Sequence, residues 1–131
     1  MPSIMIEVRQ HYTVDTELEI MEAVHKAFRD AFKILPHDRN IRFIEHEPQR
    51  FQCPPDKDKP EFYTLITIDA FIGRSLDAKR KLYENIVNNL VPLGIPKNHV
   101  KIILREIPAE NFGIRGGKAA CDIDLGFNIN V

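Results

Sequence analysis

Pro2-Ser3-Ile4-Met5-Ile6-Glu7-Val8 alternates strictly: Ile4, Ile6 and Val8 fall on one side, and Ser3, Met5 and Glu7 on the other. This two-residue period is that of a half-buried strand. Leu18, Met21, Val24, Phe28, Ala31, Phe32 and Leu35 then recur at helical spacing, and Glu17, Glu22, Lys26, Arg29 and Lys33 fill the opposite face. His25 is read with that polar side. Glu22 and Lys26 stand at the supportive i,i+4 spacing. Thr13 or Asp15 caps the start of this helix and Pro36 marks its end. Ile41, Phe43 and Ile44 follow as a second short strand.

The same order returns further along. Residues 48–60 hold four prolines and the run Asp56-Lys57-Asp58-Lys59, which makes a connector rather than an element. Tyr63-Thr64-Leu65-Ile66-Thr67-Ile68 is rich in β-branched and aromatic residues and reads as a strand. Ser75 caps a second helix striped by Leu82, Ile86, Leu90 and Leu93, and residues 100–107 form another strand. The segments after the helices also match, Ile34-Leu35-Pro36-His37-Asp38 against Gly94-Ile95-Pro96-Lys97-Asn98. The pattern is a βαβ unit duplicated at a spacing of roughly 60 residues. A β-α-β-β-α-β order also describes the ferredoxin-like fold, and periodicity does not separate the two. After a glycine-punctuated turn, Ile123, Leu125, Phe127, Ile129 and Val131 alternate with polar residues and glycine, which predicts a C-terminal strand. An open edge of that kind is a liability, and pairing with a neighbouring subunit would cover it.

The expected organisation is one domain, 1–131, of 131 residues. Repeat one spans 2–48, the connector 49–61, repeat two 62–109, and a C-terminal hairpin or strand 110–131. With 44% hydrophobic and 28% charged residues, the composition is that of a globular domain able to bury a core. A net charge of −1 gives no basic field for nucleic acid. No apolar run is long enough to span a membrane, and the start lacks a signal-peptide pattern. Cys53 and Cys121 are too few for a disulfide framework, so reduced thiols and a cytoplasmic location are expected, with a single bridge as the alternative. The five histidines show no metal-ligand spacing, and no phosphate-binding glycine motif occurs. No metal and no cofactor are expected.

Pro2 is the candidate for the chemistry. If Met1 is removed, it becomes a secondary amine; if Met1 stays bonded, its nitrogen is an amide with no useful basicity. An α-amino group titrates at about 7.7–8.0, and apolar surroundings or nearby cations lower that value. The amine is then a base poised near neutral pH. The plain alternative is a proline that merely starts a strand.

A duplicated βαβ beginning at Met-Pro resembles the tautomerase superfamily in its fused-repeat form. The resemblance rests on Pro2, Pro36-His37-Asp38-Arg39, Ile41-Arg42-Phe43 leading to Glu47-Pro48, Gly73-Arg74-Ser75, and Phe112-Gly113-Ile114-Arg115-Gly116-Gly117, and it covers essentially the whole chain. The Asp38-Arg39 turn and Glu47-Pro48 look most like the malonate semialdehyde decarboxylase branch. It implies an α+β fold: two βαβ repeats forming a four-stranded sheet with two helices on one face, plus a C-terminal strand used in oligomerisation, assembled as a homotrimer.

By resemblance, Pro2 is the catalytic proline, Arg74 binds a substrate carboxylate, and Asp38 is the carboxylate that the decarboxylases use beside their proline. Arg42 matches the later-strand arginine of oxalocrotonate tautomerase, and Phe112 matches an apolar pocket residue. Two positions depart from the pattern. Tyr12 stands about where oxalocrotonate tautomerase has an early arginine, and Ile72 stands where the decarboxylase has a second one. The implied activity is keto–enol tautomerisation of a small carboxylate-bearing oxo or enol acid. Decarboxylation or hydration of a three-carbon acid is the enzymatic alternative, and a non-catalytic trimeric module with a vestigial proline is the competing class. Each site residue also has a structural alternative. Asp38 could simply stabilise its turn, and Arg74, Arg42 and Arg115 could be solvated.

Overall fold

The computed structural model describes residues 2–131. Removal of Met1 lies outside the described residues. Six strands and two helices follow in order: β1 (Ser3–Val8), α1 (Val14–Phe32), β2 (Ile41–Glu45), β3 (Thr64–Phe71), α2 (Leu76–Leu90), β4 (Val100–Ile107), and a small pair, β5 (Gly113–Ile114) and β6 (Lys118–Ala119). Short 3-10 turns fill the connector and the links.

The four long strands form one sheet in the order β2-β1-β3-β4. Each repeat pairs its own strands in parallel, β1 with β2 and β3 with β4. The two halves meet antiparallel through β1 and β3, with Ile6 opposite Ile66. The alternation of β1 survives residue for residue: Ile4, Ile6 and Val8 are buried, while Ser3, Met5 and Glu7 are only partly covered. Thr64, Ile66, Ile68 and Ala70 do the same in β3. Both helices lie over that face. Ile20, Val24, Ala27, Phe28, Ala31 and Phe32 of α1 and Leu82, Ile86 and Leu90 of α2 close a continuous core on it. Burying one such side chain contributes roughly 1.5–3 kcal/mol, so this layer accounts for much of the fold's stability.

Thr13 starts α1, its hydroxyl accepting from the Thr16 amide at 3.2 Å. Ser75 starts α2 likewise, accepting from Ala78 N–H at 3.1 Å. Three details differ from the sequence reading. α1 ends at Phe32, with Lys33 in the left-handed region (φ 56°), before Pro36 is reached. Leu18 is exposed, because the core-facing stripe begins at Ile20. His25 is fully buried rather than on the polar face.

The tail also differs. Among the described residues, 123–131 enter no ladder within one chain. The alternation is still expressed: Ile123, Leu125, Phe127, Ile129 and Val131 are half-buried and their neighbours exposed. The segment crosses the chain's own surface with bends, Gly126 standing at φ 78°. Arg115 Nη1 donates to the Asp124 carbonyl (3.0 Å), and Ser75 Oγ donates to the Val131 carbonyl (2.9 Å). Gly73, at φ +141°, lets this crossing happen. A Cβ there would stand 3.0 Å from both the Ile129 carbonyl oxygen and Asn130 Oδ1.

Candidate active site

Strand direction decides which residues can meet. β1 begins beside the start of β2 and the ends of β3 and β4, since Ile4 faces Ile41, Ser3 faces Asp69, and Phe71 faces Ile107. Pro2, the 38–42 segment, the 72–75 segment and Phe112 therefore converge on one end of the sheet. Pro2 is buried there. Tyr12 follows the far end of β1 and packs edge-on against Phe43 with its hydroxyl unbonded. The structure does not bring Tyr12 to Pro2 within one chain.

Arg74 is the centre of the converged group. Its side chain is buried, with 6% of the residue exposed. Nη1 donates to the Phe71 carbonyl (3.2 Å), and Nε and Nη2 have no hydrogen-bond partner among the described residues. The guanidinium lies 4.7 Å from the centre of the Phe32 ring and 6.0 Å from that of Phe127, both within reach of a cation–π attraction. Desolvation pulls its pKa down, and the charges of Asp38 and Glu106 oppose that pull. A buried guanidinium with two idle donors is costly unless an acceptor arrives.

Asp38 is buried in the turn after α1. Its amide donates to the Leu35 carbonyl (3.0 Å), and its Oδ1 accepts from Asn40 Nδ2 (2.8 Å). Its own carbonyl is hydrogen-bonded by His25 Nε2 at 3.2 Å. Arg39, next along, reaches away to Glu22 (2.7 Å), which also holds Arg29 (3.0 Å). These contacts, Arg39 foremost, hold the Glu22 carboxyl below its ordinary pKa.

Arg42 is exposed, donating from Nη1 to Ser3 Oγ (3.2 Å). It lines an open cleft of about 440 Å³ with Ser3, Asn40, Phe112 and Ile114. A smaller recess of about 110 Å³ adjoins Asp38, walled by Leu35, Asn40, Arg115 and Leu125 of the tail. Phe112 stacks edge-on against Phe71 at 4.5 Å. Ile72 shares this end but stands 51% exposed, as a free apolar surface rather than a bonded contact.

Pro2, Asp38, Arg74, Arg42, Phe112 and Ile72 thus share one end, and Tyr12 does not. Sequence reasoning missed His25 and Phe127. His25 had a signal, since position 25 lies four after Met21 and three before Phe28, within the buried stripe. Phe127 had none, because nothing in the tail's alternation says which surface it crosses. Among the described residues, no group of three or more His, Cys, Asp or Glu side chains is arranged to hold a metal ion. Both cysteines are free thiols, and among the described residues no helix is long and apolar enough to cross a membrane.

Residues 38–115 match a family model described as tautomerase enzyme. This chain belongs to the tautomerase family. Among its relatives, a probable tautomerase of Ralstonia nicotianae is 34% identical over 53 residues, covering 40% of this chain and 76% of that protein. The fold is that of malonate semialdehyde decarboxylase, with a TM-score of 0.82 at 20% identity over 93% of this chain and 99% of the other. Those structures were presented as a basis for decarboxylase and hydratase activities. A fused 4-OT solved as an asymmetric trimer is similar too, with a TM-score of 0.75 at 18% identity over 92% of this chain and 97% of the other. The tautomerase-family match spans both the Asp38 turn and Arg74.

Proposed function

We propose that this enzyme of the tautomerase superfamily interconverts keto and enol forms of a small carboxylate-bearing oxo acid, with Pro2 as the proton-transferring base and acid. The observation that carries the proposal is Arg74: a buried guanidinium with Nε and Nη2 unpartnered, at the same sheet end as Pro2. Nε and Nη2 lie in one plane and match the two oxygens of a carboxylate. A substrate held there presents the carbon next to its carbonyl toward the proline. The amine removes that proton, the electron pair moves into the enolate, and the same proton returns to oxygen or carbon. Arg42 then opposes the developing negative charge.

A second, lyase reading draws on Asp38, a buried carboxylate at the same end as Pro2, which the resemblance to the decarboxylases would make a working group. Ile72 opposes it. With no second arginine at that position, the substrate carboxylate is held by Arg74 alone, and decarboxylation of malonate semialdehyde is expected to be weak. We further propose a homotrimer built through the sheet face that the helices leave open.

The test begins with mass spectrometry of the mature N-terminus, which must show Pro2 exposed. Phenylpyruvate ketonisation is then expected from the wild type and a large loss from Pro2→Ala with the fold intact. Arg74→Ala should weaken carboxylate binding by roughly 1.5–3 kcal/mol, the size of a lost charge-assisted bond. Equal activity in all three proteins removes both residues from the mechanism. Vigorous decarboxylation that vanishes in Asp38→Asn puts the lyase reading in its place.

A further inference from the structure

His25 is the one fully buried side chain of α1 that can titrate, and the chemistry above gives it no part. Its Nε2 lies 3.2 Å from the Asp38 carbonyl oxygen, and its Nδ1 has no hydrogen-bond partner among the described residues. A carbonyl only accepts, so Nε2 carries the proton and Nδ1 is the bare nitrogen of a neutral ring. Burial first, then the positive charges of Arg39 and Arg29, lower the His25 pKa and favour that neutral form, while the Asp38 carbonyl and Glu22 pull the other way.

The geometry around Asp38 gives this bond a purpose. Asp38 and Arg74 are buried at the same end, and the carboxylate's charge is felt at the guanidinium. Yet Arg74 Nε and Nη2 make no hydrogen bond among the described residues, Asp38 included. Among the described residues, the contacts that hold Asp38 include the Leu35 carbonyl on its amide, Asn40 Nδ2 on Oδ1, and His25 on its carbonyl. Of these, the His25 contact comes from α1, the rigid element.

We infer that His25 is a positioning residue that anchors the Asp38 turn to α1 and so keeps the Asp38 carboxylate from closing an internal ion pair with Arg74, leaving Nε and Nη2 to the incoming carboxylate. The inference rests on the reading of Arg74 as the carboxylate-binding residue. Without the tether, Asp38 becomes an intramolecular competitor for the donors that the substrate needs. The defect is in binding rather than in proton transfer.

Benzoate, a carboxylate with no exchangeable carbon proton, serves as the probe, its binding followed through the arginine Nε–H resonances by NMR. Wild type is expected to bind it and Arg74→Ala to lose it. His25→Leu should bind about tenfold more weakly, the equivalent of about one charge-assisted bond. For phenylpyruvate, KM should rise while kcat changes little. His25→Gln, which keeps an N–H at the reach of Nε2, should bind as wild type does. The deciding variant is His25→Leu with Asp38→Asn, in which no carboxylate remains to compete, so benzoate affinity should return. A merely structural role for His25 predicts no such rescue.

Should His25→Leu not fold, His25→Met replaces it. Independently, the imidazole nitrogen shifts of the wild type must report Nε2–H with bare Nδ1. Loss of benzoate binding in Arg74→Ala with none in His25→Leu or His25→Met overturns this inference and leaves the Arg74 reading standing. Weakening without rescue, or an Nδ1–H tautomer, also overturns it. Failure of benzoate to bind the wild type, or binding untouched by Arg74→Ala, overturns the reading of Arg74 and the inference with it.

Discussion

Tyr12 and Arg74 are both buried with polar atoms that have no hydrogen-bond partner among the described residues, but the consequences differ. Arg74 carries a permanent charge, so its idle donors call for an anion. Tyr12 can stay neutral, and burial, aided by Glu61, pushes its phenol up to about 12. The sign follows from linkage. The folded pKa lies above the ordinary value of 10.0, so the protein is unaffected by this group below about pH 10 and loses stability as pH rises from there towards 12. In Tyr12→Phe, that alkaline loss should shrink. At neutral pH the variant should melt at or slightly above the wild type, because the deleted hydroxyl had no bond to lose. A clear drop in melting temperature at pH 7 would mean that the hydroxyl is bonded in solution. Arg74→Lys is expected to recover only part of the carboxylate affinity lost in Arg74→Ala. An ammonium keeps the charge but not the planar fork.

At the scale of elements, Ser75 does one thing that Thr13 does not. Both hydroxyls cap a helix, but that of Ser75 also donates to the Val131 carbonyl and so ties the tail to the start of α2. Loss of either cap to alanine should cost about 1 kcal/mol. Ser75→Ala alone should also speed amide hydrogen exchange across residues 127–131, and equal exchange in the two variants would show that the tail is held by packing alone. Comparison with the sequence is instructive here. The strands β1 and β4 and the capping residues were legible because each is set locally, by a two-residue alternation or by a hydroxyl three residues ahead of an amide. The tail was legible only in its alternation. Whether alternate residues enter a ladder or lie across a surface depends on distant partners, here Gly73, Leu35 and Arg74. His25 was misjudged because residue type outweighed position. Its place in the stripe was right for burial, but the Asp38 carbonyl that satisfies it lies thirteen residues away, beyond the helix end. For the candidate site, which residues share a sheet end was legible for all but Tyr12, and orientation was not. The sheet end shared by Pro2, Asp38 and Arg74 follows from topology, whereas the idle edge of Arg74 exists only once Phe71, Phe32 and the tail surround it.

The whole molecule leaves one sheet face without a layer over it. Opposite the helices, Arg42, Met5, Thr67 and Ile103 stand side by side across the four strands, and Ile44, Glu7, Leu65 and Lys101 form the next row. Arg105 adds a fork onto Asp69 at 2.7 and 3.0 Å. Such a mixed face, with Ile103 39% exposed on an edge strand, is tolerable in water but also suits contact with further copies of the chain. The proposed trimer predicts that light scattering at micromolar concentration gives three times the chain mass. Ile103→Arg discriminates well, because the side chain is already exposed in one chain. The charge costs a lone subunit little, but buried at a subunit boundary with no partner it would cost several kcal/mol. Dissociation with an unchanged circular dichroism spectrum is therefore expected. A wild type that is itself a stable monomer sinks the trimer, and a trimer indifferent to Ile103→Arg moves its interface away from β4.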